Sequence, residues 1–134
     1  MTNRFTLLVG ASAFMDELAR TLDGEHSRLY AQFMTYEGDA TGEAFGALLA
    51  QQAQRGADVR LMVDAYSDII LSDVWPVLLH RQGEVAAERA KTYALFDRLR
   101  AQGVRVKRTA PLGPLGIYVL FRNHKKMVVI DDRI

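Results

Sequence analysis

Arg122-Asn123-His124-Lys125-Lys126-Met127-Val128-Val129-Ile130-Asp131 is the stretch that decides how this chain reads. Its apolar second half predicts a buried strand, with the polar residues near the strand's beginning. Side chains alternate along a strand, so His124 and Lys126 fall on one face with Val128 and Ile130. Lys125, Met127, Val129 and Asp131 fall on the other, and only a bulge or bend would return Asp131 to the face of His124. An imidazole is a competent nucleophile near neutral pH, its unperturbed pKa being about 6.5. An ammonium beside it would offset charge building on phosphoryl oxygens. The pair suits attack on an anionic phosphodiester.

Outward from this stretch, strand-like and helix-like segments alternate. Phe5–Val9 is expected as a strand turning into a helix capped by Ser12, with Phe14, Leu18 and Leu22 on its inner face and Asp16 and Glu17 near its positive end. Arg28–Tyr36 reads as a strand. Thr41 is expected to cap a helix burying Ala44, Phe45, Leu48 and Leu49, ended by Arg55-Gly56. Val59–Val63 is a buried strand closed by Asp64. A helix over about Glu84–Arg100 follows, with Ala87, Tyr93, Phe96 and Leu99 inside and Gly103 as its stop. Val104–Lys107 is a short strand, the segment 111–116 is a loop by its prolines and glycines, and Tyr118–Ile130 holds the last strand. The alternation predicts an α/β fold with a mixed, largely parallel sheet flanked by helices.

Composition sets wide bounds. The chain has 134 residues and no cysteine, which excludes disulfides and thiolate metal sites. No run approaches the roughly 18–20 apolar residues of a membrane-spanning helix. Arg4, Phe5–Val9 and Ala11-Ser12-Ala13 faintly resemble a secretory leader, but the apolar pattern continues into the helix. Net charge is +1 and unevenly placed: residues 1–100 carry 10 Lys and Arg against 14 Asp and Glu, whereas residues 101–134 carry 7 against 2. Positive charge thus gathers around the motif, as anion handling requires.

The His124-x-Lys126-x4-Asp131 string resembles the signature of the phospholipase D superfamily, and Arg122-Asn123 before it resembles the cardiolipin synthase branch. Supporting segments stand in the same order: Phe33–Gly42, with Asp39 and Gly42 at a strand-to-helix turn, then Gln54–Asp64, then Gly103–Val106. The resemblance covers nearly the whole chain, 1–134, as the N-terminal half of a two-half fold. It implies that His124 is the nucleophile or its proton-transfer partner, that Lys126 binds phosphate and that Asp131 orients the motif. Arg122, Asn123 and Lys125 would contact substrate. It further implies a phosphohistidine intermediate, no cofactor, and a second histidine motif supplied by a further half or another subunit. No other His-x-Lys string occurs here, so these residues alone are expected to be inactive, as if cut after the first motif. The expected substrate is a phospholipid or other phosphodiester, and the expected location is cytoplasmic or peripheral at a membrane.

Other candidates are weaker. His26 and His80 read as surface or helix-end residues. Asp131-Asp132 could suggest a metal site, but adjacent strand carboxylates point apart, and a turn at Asp132-Arg133 is the simpler reading. The apolar stretch containing Ile69, Trp75 and Leu78 reads first as a core-packed amphipathic helix and second as an acyl-chain groove or membrane contact. Two rivals share the motif: a single-motif nuclease completed by pairing two copies, and a non-catalytic binding fragment.

Overall fold

A computed structural model describes residues 6–65, 82–109 and 124–132, the side chains of 82–85 excepted. Among these residues three helices, α1 (Ala11–Thr21), α2 (Ala40–Gln54) and α3 (Gln82–Ala101), accompany four strands, β1 (Arg28–Phe33), β2 (Asp58–Asp64), β3 (Arg105–Thr109) and β4 (Met127–Ile130). The sheet order is β3-β2-β1-β4. β1 is parallel to β2 and β2 to β3, whereas β4 runs antiparallel along β1. The α/β class and the mixed, largely parallel sheet are as expected.

Alternation explains why one face is covered. Leu29 and Ala31 of β1, then Val59, Leu61 and Val63 of β2, have one parity and are buried; Ile130 of β4 joins them. Leu18 and Leu22 from the first helical segment, Phe45 and Leu49 from α2, and Leu95, Phe96 and Leu99 from α3 belong to the same core. Completely burying one such leucine contributes roughly 2–3 kcal/mol. Tyr30, Arg60 and Met62 carry the opposite parity and are half-buried or exposed. There the Arg60 guanidinium lies over the Tyr30 ring, and Asp58 binds Arg60, Tyr30 and Arg105.

Several local expectations are corrected. Thr6–Val9 form no strand; Leu7 and Val9 are 88% and 81% exposed, so an apolar run without a pairing partner does not become a strand. Gly10, with φ 91°, occupies the N-cap position of α1 without a side-chain cap, and no acidic residue stands in the first turn; Ser12 lies inside the helix. The positive φ is one a glycine adopts freely. Asp39, not Thr41, caps α2 by accepting from the Gly42 amide at 2.7 Å. Ala44 and Ala87 are exposed. β1 stops at Phe33 because the chain then turns inward, where Tyr36 packs against Phe45 and Phe96 and donates to the Gly42 carbonyl. β3 starts and ends later than expected, its pairing with β2 running from Arg60↔Arg105 to Asp64↔Thr109.

The helix stops fall where their residues put them. Gly56 and Gly103 follow α2 and α3 with φ 96° and 93°, the left-handed conformation that closes a helix. Arg55 and Gln52 at the end of α2 then donate to the Leu22 carbonyl, and Arg55 also to those of Asp23 and Gly24. That contact fixes the end of α1 against α2 and so sets where β1 begins.

Candidate functional site

Two observations place the motif. Met127 of β4 pairs with Gln32 of β1, and Ile130 with Leu29. Because β4 runs antiparallel to β1, residues before Met127 lie towards the C-terminal end of β1. His124, Lys125 and Lys126 therefore stand at the carboxyl end of the parallel strands, the end where open α/β sheets bind ligands. They precede the strand rather than belonging to it, and all three are exposed. The expectation that strand alternation aligns His124 with Lys126 thus does not hold, since neither lies within β4. Alternation does hold inside β4, where Val128 packs against the core and Ile130 is part of it.

Asp131 sits at the other end of β4, beside the start of β1, so no bend returns it to His124. It takes a left-handed φ of 52°. Its Oδ1 accepts from the Ser27 amide at 2.9 Å, the Ser27 hydroxyl at 2.7 Å and the Arg28 amide at 3.1 Å. Its Oδ2 lies 2.9 Å from Nδ1 of His26. The bond to His26, followed by those from Ser27 and Arg28, holds the Asp131 carboxyl well below the usual carboxylate range. The next carboxylate diverges, Asp132 accepting from Arg28 at 2.6 Å, and the turn comprises Asp131 and Asp132. Of the expected site residues, His124, Lys125 and Lys126 stand before one end of β4 and Asp131 follows the other. Arg122, Asn123, His80, the loop 111–116 and the stretch with Ile69, Trp75 and Leu78 lie outside the described residues.

Of the surface and helix-end readings given to His26, the structure favours the second. The His26 side chain is only 14% exposed, and Nε2 lies 2.8 Å from the carbonyl oxygen of Thr21, the last residue of α1. The sequence separation of His26 and Asp131 hides this contact. Only the antiparallel register reveals it, because Leu29↔Ile130 leads on to Arg28 and Ser27 beside Asp131.

A cavity of about 260 Å³ opens at the same end of the sheet as the motif. Phe14 and Met15 of α1, Phe33 of β1 and Phe45 of α2 give it apolar walls, while Glu37 and Asp39 stand in its lining. Phe33 and Phe45 meet edge to face at 5.2 Å. Burial pushes the Tyr36 phenol, also in the lining, well above its ordinary pKa, so it serves there as a neutral hydrogen-bond donor. No signal in the sequence marked this cavity; it needs α1, β1 and α2 assembled.

Gly42 makes the nearby turn possible. A Cβ there would lie 1.9 Å from the Glu37 carbonyl oxygen, so the β1–α2 connection closes only around a glycine. Gly38 is similarly confined, its Cβ position 2.7 Å from the backbone nitrogen of Thr92. The Gly38 amide donates to the Thr92 hydroxyl at 2.8 Å, tying this turn to α3.

No family model matches the chain. It is 29% identical over 131 residues to cardiolipin synthase A of Pseudomonas aeruginosa, covering 96% of this chain and 23% of that protein. It is 27% identical over 105 residues to the major cardiolipin synthase of Bacillus subtilis, covering 77% of this chain and 18% of that one. The chain thus spans less than a quarter of the relatives it matches. Among solved structures, the polyphosphate kinase of Porphyromonas gingivalis superposes on 87% of this chain, and 15% of its own, with a TM-score of 0.51 and 15% identity. The sequence similarity points to cardiolipin synthases; the structural likeness concerns the fold.

Proposed function

We propose that this chain carries the first of two histidine motifs of a phospholipase D-type enzyme that transfers or hydrolyses the phosphatidyl group of a phospholipid. What carries the reading is the exposed His124-Lys125-Lys126 string at the carboxyl end of the sheet, in a chain similar to cardiolipin synthases over 131 residues. In this reading His124 attacks phosphorus, a P–N bond forms and the P–O bond to the leaving alcohol breaks. A histidine of the second motif, from elsewhere in the protein or another subunit, gives the leaving oxygen its proton. It then takes one from water or an acceptor alcohol, whose oxygen displaces His124 and regenerates the free imidazole. Lys126 offsets charge on the non-bridging oxygens.

The apolar cavity walled by Phe14, Met15, Phe33 and Phe45 lies at the same end of the sheet and suits a hydrocarbon chain better than a nucleotide. That favours lipid over the nuclease reading. The test is phosphatidyl transfer in phospholipid vesicles by the protein at the full length its gene encodes. His124→Gln should abolish turnover, and Lys126→Ala should lower kcat/KM about 100-fold or more. Equal turnover by wild type and His124→Gln would end the proposal.

A further inference from the structure

β4 has four residues, and Lys126 immediately precedes it. Whatever fixes the register of β4 on β1 therefore fixes where the motif stands. A slip of one residue would turn Val128 and Ile130 out of the core and carry His124 and Lys126 along with it. Short strands are weakly held by their own hydrogen bonds, and among the described residues β4 pairs with β1 alone, so an anchor at the end of the strand matters.

Such an anchor is present at Asp131. Besides its contacts with Ser27 and Arg28, its amide donates to the Arg28 carbonyl at 3.0 Å. His26 extends the anchor beyond the sheet. One ring nitrogen meets the Asp131 carboxylate and the other the Thr21 carbonyl, so the imidazole ties β4 to the last turn of α1. A carbonyl oxygen and an ionised carboxylate can only accept, so the ring fills both bonds when each nitrogen carries a proton. The ring is mostly covered, which protects both bonds from competition with water.

We propose that His26 is a positioning residue for the motif: by bridging Thr21 and Asp131 it holds β4 in register and thereby sets where His124 and Lys126 stand. In its catalytic consequence this rests on the function proposed above; in its structural part it does not. The test is amide hydrogen exchange on the purified chain, comparing β4 with the central strand β2. His26→Ala and Asp131→Asn should each speed exchange across Met127–Ile130 about tenfold or more. Exchange across Val59–Val63 should stay within twofold of wild type, and the double variant should add little to either single one, because both remove the same bridge. His26→Gln, which keeps an N–H donor at one end only, should fall between. Unchanged β4 exchange would overturn the proposal. So would equal acceleration of β4 and β2, or loss of the fold in both His26 variants, since the bridge would then be holding the whole domain. In the full-length enzyme His26→Gln should lower kcat while KM stays within about twofold. If His124→Gln left turnover intact yet the exchange result held, the enzymatic reading would fail and the bridge would stand.

Discussion

The motif histidine and lysine were legible as residues, and their chemistry follows from residue type; their surroundings were not. Asp131 shows why. In the string it looks like a third member of one site, yet its carboxylate serves the start of β1, bound by Ser27, Arg28 and His26. Spacing along the chain gives no direction in space once a strand lies between two residues. Two residue-scale predictions follow from contacts of this kind. Asp58 has its pKa lowered to about 2 by Arg60 first, then Tyr30, with Arg105 adding to it. A carboxyl with a depressed folded pKa stabilises the fold above its unfolded value, near about 4, and this contribution is lost as pH falls towards its folded value. Tm should therefore fall between about pH 4 and 2, and less steeply in Asp58→Asn. Gly42→Ala places a methyl 1.9 Å from the Glu37 carbonyl and should cost about 3 kcal/mol in urea unfolding.

At the scale of elements, periodicity gave the order of the described helices and strands in 28–65 and 82–109, with boundary shifts of a few residues. Where it failed, a tertiary partner decided. Phe5–Val9 has a strand's composition, but its described residues pair with nothing. β1 was expected to reach Tyr36, yet Tyr36 is drawn into the aromatic cluster between α2 and α3. The cap of α2 was expected at Thr41, and the structure moves it to Asp39. The tight approach at Gly42 brings the turn forward and gives the cap to Asp39. Asp39→Ala should then destabilise the protein by about 1 kcal/mol, whereas Thr41→Ala should change little. The contrast, read from thermal or denaturant midpoints, tests the assignment directly.

For the molecule as a whole, the sheet order gathers the candidate functional features of the described residues at one end. The parallel strands, the opening of the apolar cavity and the motif all meet at the carboxyl edge, and the lysine- and arginine-rich last quarter of the chain includes that motif. The fold class was readable because alternation of helix and strand limits the sheet to few topologies. The cavity and the His26 bridge were not, since each needs three elements in place. Among the described residues no helix is long and apolar enough to cross a membrane. The central claim, that His124 is the group that takes the phosphatidyl moiety, is tested most directly by trapping the intermediate. Full-length protein mixed with phospholipid vesicles, quenched in base and mapped by peptide mass spectrometry, should carry a phosphatidyl or phosphoryl adduct on the His124 peptide, with none on any other histidine and none in His124→Gln. An adduct that survives that substitution, or lipid turnover undiminished by it, would contradict the account.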